Sequence, residues 1–249
     1  MIHVREITKT YSDLRRGRFV ALAGLTFDAY PGEIYGLLGP NGAGKTTALR
    51  ILSTILRPSG GSATINGCSV VTQPALVRRQ IGFVSMNTAV YDRMTAVEMV
   101  EYFGRLNGLE DDALSQRLEG LFARLQMNTF RDVLGSKMST GMKQKVSIAR
   151  ALVHDPRNVI LDEPTNGLDV MTTRAMRTFL RDLRADGRCV LLSSHIMQEV
   201  AALCDRIVVI ARGRVVAHGT ADELRAQTGE SNLEDAFVKA IGSEEGLFE

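Results

Sequence analysis

The segment Gly39-Pro40-Asn41-Gly42-Ala43-Gly44-Lys45-Thr46-Thr47 constrains this chain more tightly than any other. It satisfies G-x-x-x-x-G-K-[ST] and stands between an apolar run at 34–38 and a helix-forming stretch. A strand before and a helix after are the setting in which that pattern cradles phosphate. Glycines let backbone N–H groups close around phosphate oxygens, and the helix N-terminus adds partial positive charge. Lys45 then reaches the β and γ phosphates, and the Thr46 hydroxyl ligates Mg2+. The bland alternative, a glycine-rich turn before a surface helix, gives the lysine and the hydroxyl no purpose.

A second signal is Asn158-Val159-Ile160-Leu161-Asp162-Glu163, an apolar run ending in two carboxylates. Side chains at successive strand positions diverge, so the two serve different purposes. Asp162 suits the support of Mg2+. Glu163 suits holding and polarising an attacking water, a general-base role worth about 10²–10⁴-fold. An isolated acidic pair after a strand is ordinarily a solvated turn; a phosphate loop in the same chain favours the functional reading.

Apolar runs at 2–7, 20–27, 34–38, 63–65 and 81–84 read as strands. Thr95 and Glu98 have the spacing of a capping box and open a helix that continues to Leu106. Further helices are expected at 112–125 and from 139 to 154. Strands at 159–161, 189–192 and 207–210 then alternate with helices at 172–184 and 196–203, which implies right-handed βαβ units and a mainly parallel sheet. Two short helices with a break at 229–231 fill the tail. The expected organisation is one α/β unit, with a core at 1–85 and 154–218, an all-helical insertion at 86–153 and a helical tail at 219–249.

Composition excludes several classes. The 249 residues are 45% hydrophobic and 23% charged, enough to bury a core without disulfides or metal. A net charge of +2 provides no footprint for bulk nucleic-acid binding. Cys68, Cys189 and Cys204 form no C-x-x-C pair, which points to reduced thiols. The stretch MIHVREITKT lacks the apolar centre of a signal peptide, and no apolar run nears the roughly 18 residues that span a bilayer. The expectation is a cytoplasmic protein whose membrane span, where one is needed, comes from a partner.

The chain resembles the ATP-binding cassette (ABC) ATPases over nearly its whole length. Ser139-Thr140-Gly141-Met142-Lys143-Gln144 stands where that family has its signature sequence, at a helix start. Residues 162–169, Asp-Glu-Pro-Thr-Asn-Gly-Leu-Asp, look like the family's Walker B and D-loop together, and Ser193-Ser194-His195 looks like its switch histidine. Tyr11, placed after a strand, matches the aromatic that stacks on adenine. The resemblance implies a P-loop NTPase (RecA-like) core with an N-terminal antiparallel β-subdomain and an inserted α-helical subdomain. It implies ATP and Mg2+, two cassettes (a homodimer or a pair with a related cassette) closing head-to-tail on two ATP molecules, and a separate integral-membrane permease at the inner face of the cell membrane. Ser139 and Gly141 would then meet the ATP of the opposite cassette, Asp169 would couple the two sites, and His195 would contact the γ-phosphate or its attacking water. No nucleic-acid partner is expected.

Two departures bear on subfamily. Thr140 and Met142 replace the usual signature Gly and Gln, and Met86 stands where the family places a Mg2+-touching glutamine, with Asn87 next to it. A thioether is a poor ligand for a hard cation. These features, with residues 167–171 and the tail 230–237, resemble sodium-export ATPase subunits of the NatA type and ATPases serving ABC-2-type exporters, drug exporters included. A soluble cassette acting in DNA repair or translation and a small-molecule kinase are the rival classes. Arg15, Arg16 and Arg18 lie in a lengthened loop after Tyr11 that reads best as solvated.

Overall fold

The apolar run before the glycine-rich loop forms strand β3 (Ile34–Leu38), every residue of it buried, near the middle of a six-stranded sheet. The computed structural model describes residues 1–13, 17–85 and 90–242. Arg15, Arg16, Met86 and Asn87 lie outside them.

Around β3 run β6 (Ile81–Val84), β7 (Asn158–Asp162), β8 (Cys189–Ser194), β9 (Arg206–Ala211) and β10 (Arg214–Gly219), in the order β10-β9-β3-β8-β7-β6. All neighbours are parallel except β10, which runs antiparallel to β9. β7 and β8 are buried along their whole length, with apolar centres at 159–161 and 189–192, as a sheet covered on both faces requires. Sequence periodicity does not reveal β10, because only Gly219 of it is buried.

A second, antiparallel sheet has the order β2-β1-β4-β5, from β1 (Ile2–Asp13), β2 (Gly17–Ala29), β4 (Gly60–Ile65) and β5 (Cys68–Ser69). Here the sequence expectation needs correction. β1 does not end near Ile7; it continues to Asp13, so Tyr11 lies within a strand, opposite Phe19 of β2. The extension is polar and backbone-paired, which hydrophobic patterning alone misses. One irregularity in β1 is fixed by a glycine: a Cβ on Gly61 would sit 2.1 Å from the Glu6 carbonyl oxygen. Backbone bonds also join the two sheets. Ala23 of β2 donates to Gly213 O at 2.9 Å, and Gly213 N donates to Ala43 O in the glycine-rich loop at 3.0 Å.

The helices are α1 (Lys45–Leu52), α2 (Pro74–Gln80), α3 (Ala96–Leu106), α4 (Asp111–Arg124), α5 (Thr140–Leu152), α6 (Val170–Ala185), α7 (Met197–Leu203), α8 (Ala221–Thr228) and α9 (Leu233–Ile241). The Thr95–Glu98 capping box is present at the start of α3. Met99 and Val100 of α3, Leu118 and Phe122 of α4, and Val146 and Ala149 of α5 share one core. α2 was not legible, since Val77 is its one buried residue. Ion pairs fasten α4 to the sheet's connections: Arg117 meets Asp155 at 2.7 Å and Arg124 meets Asp186 at 2.6 Å, while Arg188, just before β8, reaches the same Asp155 at 2.5 Å. Gly229, at φ +75°, ends α8 and makes the tail's break. Among the described residues no helix is long and apolar enough to cross a membrane.

Candidate functional site

The loop from Gly39 to Gly44 joins β3 to α1, and packing explains its composition. A Cβ on Gly39 would lie 2.3 Å from the Ile210 carbonyl oxygen, and Gly44 caps α1 with φ +107°. Around Gly42 (φ +81°) there is open space. No acidic residue occupies the first turn of α1, so its N–H groups and dipole favour an anion. Lys45 is buried, and its Nζ donates to Gly39 O at 2.6 Å and Pro40 O at 3.1 Å. Burial pushes its ammonium below the ordinary lysine range, against the opposing pull of Glu163 and Asp162.

Asp162 ends β7, buried, beside that loop. Thr46 Oγ1 donates to Asp162 Oδ1 at 3.1 Å, and Ser193 Oγ donates to the same oxygen at 2.7 Å. A hydroxyl and a carboxylate placed together are hard oxygen donors, a set that fits Mg2+. Glu163 turns elsewhere. Its backbone adopts φ +49°, and Oε2 lies 3.0 Å from His195 Nδ1. Its amide donates to Ser193 Oγ at 3.0 Å, and Asn166 Nδ2 reaches Oε2 at 3.4 Å. Thr46, Asp162, Glu163 and His195 are thus joined contact by contact through Ser193, and Lys45 lies near enough to feel both carboxylates.

Ser139, Gly141 and Asp169 form a second group. Ser139 caps α5 by accepting from Met142 N at 3.3 Å. Asp169 caps α6, accepting from Thr172 N at 2.9 Å and Thr172 Oγ1 at 2.6 Å, and these bonds hold its carboxyl below the usual range. With Gly167 and Leu168 they line a cleft of about 380 Å³. Among the described residues no hydrogen bond joins this group to Lys45, Thr46, Asp162, Glu163 or His195. Tyr11 is apart from both, partly exposed, with Lys9 Nζ 5.3 Å from its ring centroid and itself bonded to Arg57 O.

Three contacts were not foreseen from the sequence. They are the double role of Ser193, the bond from Gln144 Nε2 to Pro164 O at 3.0 Å, and the buried bond from Thr165 Oγ1 to Glu199 Oε2 at 2.5 Å. The one available signal was the hydroxyl run before His195; the others join distant parts of the chain.

A strand, a glycine-rich loop and a helix, with a buried aspartate ending the second strand over, define a P-loop nucleoside-triphosphate-binding protein. The family model described as ABC transporter matches residues 22–166, and the chain belongs to that family. The ABC transporter ATP-binding protein NatA of Bacillus subtilis is 39% identical over 242 residues, which cover 97% of this chain and 98% of that protein. The doxorubicin resistance ATP-binding protein DrrA of Mycobacterium tuberculosis is also 39% identical, across 96% of this chain and 74% of its own length. Among solved structures, an ATP-binding subunit of an ABC transporter superposes with a TM-score of 0.86 at 30% identity, covering 96% of this chain and 99% of that one. A dimeric ATP-binding cassette in a post-hydrolysis state, bound to ADP and Pi, gives 0.81 at 25% identity, covering 88% and 98%. This chain is an ABC transporter ATP-binding subunit, of a family that binds and hydrolyses ATP and generally requires Mg2+.

Proposed function

We propose that this chain is the ATPase of an exporter of the NatA type, with Na+ as the exported ion, and that it drives a separate integral-membrane permease from the cytoplasmic face. In this reading two cassettes, each with the α-helical insertion at 86–153, close around two ATP molecules. The observation that carries it is the division of the candidate residues into two groups with no hydrogen bond between them among the described residues. Each group carries a helix N-terminus suited to an anion, and a second cassette would place one group of each chain against the other's nucleotide.

The roles follow from position. Lys45 and the N–H groups of the 39–47 run, in which Pro40 has none to give, hold the β and γ phosphates, and Tyr11 stacks on adenine. Thr46 and Asp162 would hold Mg2+, which supplies charge neutralisation between the phosphates. Glu163 accepts a proton from the attacking water. His195 uses Nδ1 to steady Glu163, which leaves Nε2 on the far side of the ring for the γ-phosphate or its water. Ser139 and Gly141 contact the opposite cassette's ATP, and Asp169 links the sites. Closure on ATP and release after hydrolysis form a population shift that the permease reads. DrrA, equal to NatA in identity, supports drug export as the second reading.

The test is solution mass by size exclusion for Glu163→Gln, with and without MgATP. A shift from monomer to dimer on adding ATP supports the composite site. A monomer that still binds ATP contradicts pairing of this cassette with itself.

A further inference from the structure

Glu163 is a non-glycine residue in the left-handed region, at φ +49°. Such a backbone costs on the order of a few times thermal energy and persists only where its surroundings over-determine it. Here they do so from both sides. On the N-terminal side its amide is held by Ser193 Oγ of β8, at 3.0 Å. On the C-terminal side Pro164 has no N–H to anchor, so its carbonyl is the available handle, and Gln144 Nε2 donates to it at 3.0 Å. The next residue, Thr165, is buried and fixed by Glu199 of α7.

Gln144 belongs to α5, whose N-cap is Ser139. A shift of α5 is thus felt at the Pro164–Thr165 peptide, one residue beyond Glu163. We propose that Gln144 is a positioning residue that ties the orientation of the Glu163 carboxylate to helix α5. An α5 seated against the opposite cassette's nucleotide sets the general base in its own cassette, so each site senses occupancy of the other within one protomer. This rests on the role assigned above to Glu163.

The experiment compares Gln144→Met, of similar length but without a donor, with Gln144→Lys, which restores one, in the full-length protein. Gln144→Met lowers kcat about tenfold, the effect expected of one lost hydrogen bond. The Kd for a fluorescent ATP analogue stays within about twofold of the unmutated protein, and Gln144→Lys recovers most of the turnover. The decisive readout is the double mutant. In a Glu163→Gln background Gln144→Met causes no further loss in single-turnover hydrolysis, because Gln144 acts through Glu163.

Unchanged kcat in Gln144→Met, an equal loss in nucleotide Kd, or an undiminished loss in the double mutant overturns the proposal. Should Gln144→Met fail to fold, Gln144→Glu against Gln144→Lys replaces it. Lower turnover with the acceptor than with the donor, at equal melting temperature, is then expected, and equal turnover overturns the inference. Failure of the underlying reading is separately visible, since Glu163→Gln would then turn over normally.

Discussion

His195 Nδ1 lies 3.0 Å from Glu163 Oε2, with the histidine more than a third exposed and the glutamate largely covered. The ring is therefore the open side of the pair, and the carboxylate is the sheltered side. Under the proposed roles, His195→Ala leaves Glu163 without its partner while phosphate binding through Lys45 persists. We expect kcat to fall by about 10²-fold, at the low end of general acid–base effects, with nucleotide affinity within a few fold. Steady-state phosphate release beside equilibrium nucleotide titration checks this; unchanged kcat would remove His195 from the reaction.

Ser193 is fully buried and serves two neighbours at once. Ser193→Ala strands the Glu163 amide and deprives Asp162 of one of its two hydroxyl donors. An unsatisfied buried donor costs about 1–3 kcal/mol, so the urea midpoint should drop accordingly. The Mg2+ concentration for half-maximal turnover should rise at the same time, because Asp162 loses orientation. A fall in stability with an unchanged Mg2+ requirement would make Ser193 structural alone.

Lys9 Nζ lies over the Tyr11 ring and is itself bonded to Arg57 O, and on the proposed role the exposed part of the ring takes the base. Stacking of a base on an aromatic is worth about 1–3 kcal/mol, so Tyr11→Ala should weaken ATP binding roughly tenfold. Tyr11→Phe should bind as the parent does. Equal affinities for all three proteins, measured by isothermal titration, would place the base elsewhere.

Asp155 predicts a pH dependence. Burial alone would raise its pKa, but Arg188 and Arg117 outweigh it and hold the carboxyl below its ordinary 3.8. A group depressed on folding contributes stability in full above its unfolded value and loses it as pH falls through the folded one. Asp155→Asn should therefore lower the urea midpoint most above about pH 5, and the gap should close as pH falls below about 4. A gap that does not vary with pH would mean that the charge on Asp155 contributes nothing.

Much of the fold was legible because β3, β7 and β8 are buried end to end around apolar runs, and the capping box marks α3 without ambiguity. The shorter elements were not. α2 buries one side chain, and the outer half of β1 is held by backbone pairing rather than by apolar side chains. In the site, Asp162 and Glu163 announce themselves by adjacency, whereas the place of Ser193 depends on register. It pairs with Asp162 across the parallel β7–β8 ladder, and one strand's sequence does not carry that alignment. The Gln144–Pro164 bond is likewise a product of how α5 lies on the core.

The peptide at Gly213 accepts a bond from β2 and donates one to the phosphate loop. The strand that faces Tyr11 and the loop that carries Lys45 are thereby measured off against one shared peptide unit. Residues on either side can drift in identity without changing the spacing between them. A single methyl at 213 has no such freedom, since it would press on the Ala21 oxygen and the Leu22 backbone at under 3 Å. The proposed nucleotide site has in effect a gauge block, and one glycine holds its calibration.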